Sequence, residues 1–200
     1  MAENERPDAG KHRFDPSHKG RLVSAERERR WQPALFLQRL PLQPGQTVLD
    51  LGSGPGFWTI PLAEIVGPEG RVWAMDASQE MLATLAERNP PPQVRTVLGE
   101  APHIPLPDAS VDLAWAAFFL HEVALPAALL AEVARVLRPG GQVAILEWLP
   151  GAAGRHGPGR ADRIAPERLL AMLAEAGFVR SSITWQDGEA YLAQAQKQAG

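Results

Sequence analysis

The fold of this chain is decided by residues 48–57, Val48-Leu49-Asp50-Leu51-Gly52-Ser53-Gly54-Pro55-Gly56-Phe57. Residues 48–51 predict a short buried parallel strand, because Thr47 and Val48 are β-branched and the run stops sharply at glycine. A Gly-x-Gly-x-Gly turn follows, and apolar residues at helical spacing continue to Val66, before Gly67-Pro68. A strand, a tight turn and a helix in this order form a ligand site, since glycines let the backbone approach the ligand and N–H groups at the helix start favour negative charge.

The spacing of the glycines indicates which ligand this turn binds. A dinucleotide fingerprint is Gly-x-Gly-x-x-Gly, whereas here Gly56 comes two residues after Gly54 and Phe57 stands where that fingerprint has glycine. Residues 71–75 predict a second strand that ends at Asp76, an acid suited to accepting hydrogen bonds from ribose hydroxyls. A nicotinamide-dependent oxidoreductase would share the sheet and the ribose acid, but the glycine spacing disfavours this alternative.

Further motifs follow in order and complete a resemblance to one family, the class I S-adenosylmethionine-dependent methyltransferases. After the turn and Asp76, the matching stretches are Gly99-Glu100-Ala101, Pro105-Leu106-Pro107-Asp108, Val111-Asp112 and Leu137-Arg138-Pro139-Gly140-Gly141. The residues of these motifs are most similar to those of the branch that contains the ubiquinone and menaquinone C-methyltransferases, the type 11 methyltransferases. The resemblance implies an α/β, Rossmann-like fold with a seven-stranded, mostly parallel sheet, helices on both faces and a C-terminal antiparallel hairpin.

The resemblance also implies S-adenosyl-L-methionine as the cofactor. Backbone groups of the glycine turn would hold its amino-acid end, and Asp50 would accept hydrogen bonds from its ammonium group. Asp76 would bind the ribose. Ala77 and Met81 would flank the adenine, whose amine Glu100 would bind. The expected cofactor-binding set is Asp50, Gly52, Ser53, Gly54, Gly56, Phe57, Asp76, Ala77, Met81, Gly99, Glu100, Ala101 and Ala116.

Three side chains are candidates for catalysis. His121 and Glu122 follow an apolar strand predicted at residues 111–118, and the C-terminal ends of parallel strands are where open sheets bind ligands. A histidine titrates near neutral pH, so His121 can act as a base or orient the acceptor; shaping the pocket or bonding a backbone carbonyl is the alternative. Glu147, at the end of the fifth predicted strand, is a candidate for binding the substrate.

Composition excludes several classes of function. The chain has 200 residues, 45% of them hydrophobic and 22% charged, which suits one globular domain with a substantial core. The net charge of −3 gives no reason to expect a nucleic-acid partner, and no apolar run approaches the roughly 20 residues of a membrane span. We therefore expect no membrane partner and a cytoplasmic location. Because cysteine is absent and the five histidines are scattered, we also expect no catalytic metal.

The sequence divides into a polar segment, residues 1–23, and a single methyltransferase domain, residues 24–200. The polar segment is either a solvated tail or a lid in which His12 and Phe14 fold over the cofactor cleft and exclude water. The oligomeric state is left open, with a homodimer among the alternatives.

Two later segments bear on the acceptor side of the site. Residues 150–164, rich in glycine, proline and arginine, predict a mobile loop that faces the substrate. Before it, Gly140-Gly141 is predicted to end the helix that begins at Pro126. An apolar acceptor pocket could be lined by the tryptophans Trp31, Trp148 and Trp185.

The favoured function is therefore methylation of a small molecule, with carbon or oxygen as the methylated atom. Amine-methylating relatives carry an Asn/Asp-Pro-Pro-Tyr/Phe motif after the fourth strand, where this chain has Ala116-Ala117-Phe118-Phe119. A nucleic-acid or protein substrate is disfavoured by the acidic net charge and by the absence of an appended recognition domain. A second alternative is an inactive subunit that binds the cofactor and assists a partner.

Overall fold

The structure is a computed structural model that describes residues 19–152 and 157–199. The predicted lid residues His12 and Phe14 lie outside the described residues. The strands β1 to β7 are Thr47–Leu51, Arg71–Asp76, Val94–Leu98, Val111–Ala117, Leu137–Trp148, Phe178–Gln186 and Ala190–Lys197. The helices α1 to α7 are Lys19–Leu22, Ala25–Trp31, Pro33–Phe36, Thr59–Val66, Gln79–Glu87, Pro126–Val136 and Pro166–Glu175. No helix in these described ranges has the length and apolar content needed to cross a lipid bilayer.

All seven strands form one sheet in the order β3-β2-β1-β4-β5-β7-β6. Neighbouring strands from β3 to β5 are parallel, whereas β7 is antiparallel to both β5 and β6. The turn at Asp187-Gly188 joins β6 to β7, and the Asp187 carboxylate accepts hydrogen bonds from the N–H groups of Glu189 and Ala190. The expected Rossmann-like α/β fold with its C-terminal hairpin is confirmed.

The two faces of the sheet have separate apolar cores because successive side chains of a strand point to opposite faces. In β1, Leu49 belongs to the core that includes Val133 of α6 and Leu169 of α7. Val48 belongs to the opposite core, which contains Leu62 of α4. This core also contains several aromatic side chains, among them Trp31, Phe36, Trp115 and Trp148. Helices therefore cover both faces, which explains why β1 is apolar after Thr47 except for Asp50.

One sequence prediction about this fold is wrong. Helix α6 ends at Val136, and Gly140-Gly141 lies within β5 instead of ending the helix. The pairing of β4 with β5 shifts here from Val111–Leu137 to Leu113–Gln142, so residues 138–141 bulge from the ladder. Arg138 pairs with Asp112 across this bulge at 2.6 Å, and Gly140 has a φ of 77°. A glycine pair suits a bulge as well as a helix end, and the strand partner decides between them.

A loop between β3 and β4 is held against α6 by one arginine. Arg135 donates hydrogen bonds to the carbonyl groups of Ile104 (2.8 Å) and Leu106 (2.9 Å) and to the carboxylates of Glu132 and Asp108. Glu132 in turn accepts a hydrogen bond from the Ile104 N–H at 3.2 Å. Because Ile104 and Leu106 are buried, this pair fixes a segment that also contributes to the core.

We predict that Arg135→Ala lowers the free energy of unfolding by about 1–3 kcal/mol, because several carbonyl and carboxylate groups lose a charged donor. Urea unfolding followed by circular dichroism measures the effect. Arg168→Ala is the matched control, since Arg168 of α7 is exposed and its ion pair with Glu175 is 3.5 Å long; it should change stability by less than about 0.5 kcal/mol. Equal losses in the two variants would contradict the prediction.

Candidate functional site

The candidate site lies at the sheet edge where the order of the parallel strands reverses, between β1 and β4. Ligands of open parallel sheets bind beyond the C-terminal ends of the strands at such a reversal. Leu51 of β1 pairs with Ala116 of β4, so the two strands end side by side. The glycine turn leaves β1 at this edge, and residues 118–122 leave β4 beside it. The fold therefore brings the cofactor-binding and catalytic candidates to one edge.

The turn after β1 requires glycine because of its backbone conformation and its close neighbours. Gly52 and Gly56 have φ angles of 66° and 84°, values that side-chain-bearing residues rarely adopt. A Cβ atom at Gly52 would overlap the ring of Phe119, and one at Gly56 would overlap the Leu85 side chain. The Ser53 N–H also donates to the carbonyl of Met75 at 3.0 Å, which ties the turn to β2.

Asp76, at the end of β2, connects this turn to the next helix. Its two carboxylate oxygens accept hydrogen bonds from the Gly54 N–H and the Ser78 N–H, each at 2.8 Å. Burial raises the pKa of Asp76, although these hydrogen bonds oppose the shift. Each carboxylate oxygen has two lone-pair positions, so both retain capacity for a further donor. Asp76 can therefore bind a pair of neighbouring hydroxyl groups, as on a ribose.

Asp50 is a buried acid beneath the glycine turn. Only 2% of its surface is exposed, and its carboxylate accepts a hydrogen bond from the Thr59 hydroxyl at 2.6 Å. Burial raises the pKa of Asp50 to about 7, because the hydrogen bond from Thr59 only partly offsets the loss of solvation and the charge of Asp76 opposes ionisation. Asp50 forms no ion pair with any residue of the described ranges, so the site holds an acid that a ligand cation would stabilise.

We predict that Asp50→Asn stabilises the protein by about 2–4 kcal/mol at pH 8, because a neutral amide carries no penalty for burying charge. The pKa of Asp50 in the folded protein lies above its ordinary value of 3.8, so its contribution to stability falls as pH rises from there to about 7. The difference in unfolding free energy between the variant and the wild type should therefore widen over this pH range in urea titrations.

Asp112→Asn provides the control for this prediction. Asp112 pairs with Arg138 and accepts a hydrogen bond from the Thr47 N–H at 2.8 Å, so the same substitution there should destabilise the protein. A stabilising Asp112→Asn, or a destabilising Asp50→Asn at pH 8, would contradict the explanation.

The chain makes a strained turn after β4. Phe118 has a φ of 56°, which is a costly conformation for a bulky residue. Its ring stacks on Trp148 with 4.2 Å between ring centroids and also contacts Trp31 at 4.9 Å. The next residue, Phe119, packs its ring on Gly52, and a short 3₁₀ turn, Leu120–Glu122, follows. Stacking thus stabilises a strained turn that carries His121 to the end of β5.

His121 and Glu147 form a buried pair at this point. His121 is 6% exposed and Glu147 is 0% exposed, and the distance from Nδ1 of His121 to Oε2 of Glu147 is 2.8 Å. Glu147 also accepts hydrogen bonds from the backbone N–H groups of His121 and Trp148, each at 3.2 Å. Oε1 of Glu122 lies 3.8 Å from the other ring nitrogen, Nε2. The three catalytic candidates are therefore neighbours.

The ionisation of His121 follows from this environment. Burial alone lowers the pKa of His121, but the hydrogen bond and charge of Glu147, together with the charges of Glu122 and Asp162, outweigh burial and raise it above its usual value. Since Glu147 engages Nδ1, Nε2 is the nitrogen left to exchange a proton with a ligand. The arrangement can act as a general base above this raised pKa.

The remaining cofactor candidates lie along the same edge. Met81 is buried in α5 and Ala77 is exposed just before it. Residues 99–101 follow β3, beside Asp76, because Asp76 pairs with Leu98 and its carbonyl accepts a hydrogen bond from the Gly99 N–H at 3.1 Å. The Glu100 side chain is exposed. Within the described ranges, no three His, Asp or Glu side chains are grouped as a metal ion would need.

The end of β5 beside the His121–Glu147 pair is apolar and packs against described residues of the following segment. Trp148 has the Phe118 ring on it, and Gly157 lies directly against its indole. Arg163 donates hydrogen bonds to the carbonyls of Leu149 (3.0 Å) and Pro158 (3.1 Å), which ties residues 158–163 to the end of β5. A 3₁₀ turn, Arg160–Asp162, lies within the predicted irregular loop. The predicted aromatic lining meets in one cluster, since Trp31 contacts both Trp148 and Trp185.

Sequence reasoning missed three residues of this edge. Thr59 donates the hydrogen bond to Asp50, Phe119 packs on Gly52, and Arg27 of α2 lies over the ring of Phe57. Thr59 could have been noticed as the one hydroxyl in the first turn after the glycine loop. Phe119 and Arg27 carry no local signal, because their positions depend on how separate segments pack.

The residues present fit S-adenosylmethionine. The Ser53 hydroxyl is buried without a hydrogen-bond partner among the described residues, which indicates a polar group that a ligand would satisfy. Asp50 offers a buried negative charge suited to an ammonium group, and Asp76 offers lone pairs suited to ribose hydroxyls.

Comparisons with known proteins agree with this geometry. Residues 49–145 match a family described as "Methyltransferase domain". The structure superposes on a SAM-dependent methyltransferase from Aquifex aeolicus with a TM-score of 0.85 and 30% identity, covering 92% of this chain and 99% of that chain. The chain belongs to the class I S-adenosylmethionine-dependent methyltransferases. The expected family and cofactor are thereby confirmed.

Two curated relatives indicate the branch of the family. A demethylmenaquinone methyltransferase of Geobacillus sp. (strain WCH70) is 36% identical over 129 residues, which is 63% of this chain and 55% of the relative. The ubiquinone/menaquinone biosynthesis C-methyltransferase UbiE of Burkholderia orbicola (strain MC0-3) is 37% identical over 129 residues, 64% of this chain and 53% of the relative. The chain thus spans about half the length of these curated relatives.

Proposed function

We propose that this protein transfers the methyl group of S-adenosylmethionine to carbon or oxygen of a small aromatic acceptor that loses a proton in the reaction. The observation that carries this proposal is the buried His121–Glu147 pair. His121 follows Phe119 closely in the chain, and the Phe119 ring packs on Gly52 of the glycine turn, so the pair lies near that turn. A base is needed only for an acceptor that must be deprotonated, so its presence favours a hydroxyl-bearing acceptor.

In this proposal the glycine turn and the strand ends bind the cofactor. Asp50 attracts its ammonium group and Asp76 binds its ribose hydroxyls. Ala77 and Met81 flank the adenine and Glu100 binds its amine, as the resemblance implies. When bound, S-adenosylmethionine supplies a methyl group on a positively charged sulfur, which an acceptor displaces in line. The protein has to align the two molecules and exclude water, which alone accelerates such a reaction by several powers of ten.

His121 takes the acceptor proton on Nε2, while Glu147 holds Nδ1 and stabilises the imidazolium that forms. Glu122, 3.8 Å from Nε2, adds a second favourable charge for that cation. The buried aromatic cluster of Trp31, Phe118 and Trp148 gives this end of the sheet apolar surroundings, which suit an aromatic acceptor. The names of the Geobacillus and Burkholderia relatives, which refer to quinone substrates, support an acceptor of this shape.

Binding measurements test the cofactor part of the proposal. By isothermal titration calorimetry, S-adenosylhomocysteine should bind with one site per chain, whereas NAD⁺ at the same concentration should give no saturable heat. The glycine spacing and the buried acid Asp50 predict this preference, because a carboxylate beneath the turn would repel a pyrophosphate. Tight binding of NAD⁺ in place of S-adenosylhomocysteine would refute the proposal. Tight S-adenosylhomocysteine binding without methylation across phenolic and quinol acceptors would favour an inactive partner subunit.

We predict that His121→Ala lowers turnover by about 10²–10⁴-fold, because the acceptor proton loses its base. Turnover of the wild type should rise with pH through the raised pKa of His121, since only neutral imidazole accepts a proton. Glu147→Gln removes the main group that raises this pKa, so the rise should move to lower pH and reach a lower plateau. Release of S-adenosylhomocysteine, measured from pH 5 to 9, provides the profiles.

Two measurements control this experiment. Glu175→Gln, a neutralised carboxylate on the exposed face of α7, should leave the pH profile unchanged. Calorimetry should show that His121→Ala binds S-adenosylhomocysteine within a few-fold of the wild type. If His121→Ala loses binding and turnover together, or if the pH profile of Glu147→Gln does not move, the histidine has a structural role.

A further inference from the structure

Arg27 places a positive charge over the rings of Phe57 and Phe118, the residues that follow the glycine turn and β4. Its helix, α2, begins at Ser24, whose hydroxyl accepts a hydrogen bond from the Arg27 N–H at 3.2 Å. The guanidinium carbon lies 4.9 Å from the ring centroid of Phe57, directly after the turn, and 5.8 Å from that of Phe118, directly after β4. Leu22 packs near Gly54 from the same N-terminal segment. Arg27 therefore lies above the point where β1 and β4 end.

The charge of Arg27 has no partner among the residues that the structure describes. Its Nε is buried without a hydrogen-bond acceptor, and no carboxylate in the described ranges forms an ion pair with it. Burial lowers the pKa of Arg27 to about 10, with no neighbouring acid to oppose the shift. By contrast, Arg30, one turn further along α2, pairs with Glu189, and Arg138 pairs with Asp112.

A half-buried guanidinium between two aromatic rings is held in place by cation–π contacts but still needs an anion. An unpartnered cation of this kind is costly unless a ligand supplies the opposite charge. The acids Asp50 and Asp76 lie at the same turn, so an extended polyanion such as a pyrophosphate is disfavoured. A ligand group that carries both an ammonium and a carboxylate satisfies the two signs of charge at once.

We propose that Arg27 binds the carboxylate of the cofactor's methionine moiety, while Asp50 attracts its ammonium group. This inference rests on the proposed function, because it assumes that the cofactor occupies the glycine turn. The planar guanidinium can donate two parallel hydrogen bonds to a carboxylate, which is the strongest contact available to such a group. Helix α2 then distinguishes S-adenosylmethionine and S-adenosylhomocysteine from nucleosides that lack the amino-acid end.

The test is a double-mutant cycle in which the carboxylate is removed from the ligand, the guanidinium is removed from Arg27, or both are removed. Calorimetry compares S-adenosylhomocysteine with its decarboxylated analogue, S-adenosyl-3-thiopropylamine, in the wild type and in Arg27→Met. Methionine keeps an unbranched apolar stem against Phe57 and Phe118 but removes the charge. In the wild type, loss of the ligand carboxylate should weaken binding by about 10–100-fold; in Arg27→Met the same loss should change binding by less than about threefold.

Arg29→Met is the matched control, since Arg29 is exposed on the same helix. It should leave the ratio of the two affinities as in the wild type, which separates a local contact from a general change in charge. Circular dichroism checks that each variant is folded. Where Arg27→Met does not fold, Arg27→Gln takes its place, with the same expected loss of discrimination between the two ligands.

The outcomes separate this inference from the proposed function. If Arg27→Met weakens both ligands equally, Arg27 only supports the packing of α2, and the inference is overturned. If the wild type binds both ligands equally well, no residue reads the carboxylate, and the inference is likewise overturned. If the wild type binds neither ligand, it is the proposed function that fails, not the assignment of Arg27.

Discussion

The site depends on one carboxylate that joins three parts of the chain. Asp76 ends β2, and its two oxygens fix the N–H of Gly54 in the first turn and the N–H of Ser78 at the start of α5. These hydrogen bonds set the height of the glycine turn relative to the neighbouring strand. The parallel pairing of β1 with β2 and β4 then places everything that leaves those strands at one edge. The turn and the strand ends therefore form a single rigid unit.

Local patterns predicted the parts of this unit that depend on neighbours in sequence. The glycine spacing and Asp76 each act within a few residues, so the sequence alone located them. The Gly140-Gly141 prediction was wrong because the same dipeptide permits a helix end or a bulge, and the choice depends on the ion pair between Arg138 and Asp112 across two strands. Arg27 was missed for the same reason, since its position above the turn comes from the packing of α2.

His121 and Glu147 were separate candidates from sequence, with different suggested roles, and the structure makes them one pair. Their contact requires β4 and β5 to run in parallel register and the chain to turn sharply at Phe118. The strained φ of Phe118 and its stacking on Trp148 are thus linked to the catalytic proposal. A residue with high local cost is retained where the surrounding packing compensates for it.

The His121–Glu147 pair and the segment next to Trp148 are held in place in different ways. Glu147 belongs to β5 in the middle of the sheet, whereas the segment that covers Trp148 is held mainly by Arg163 through backbone carbonyls. Contacts to carbonyl groups do not depend on which side chains the segment carries. The side chains of residues 157–163 can therefore change while the buried His121–Glu147 pair beneath them stays the same.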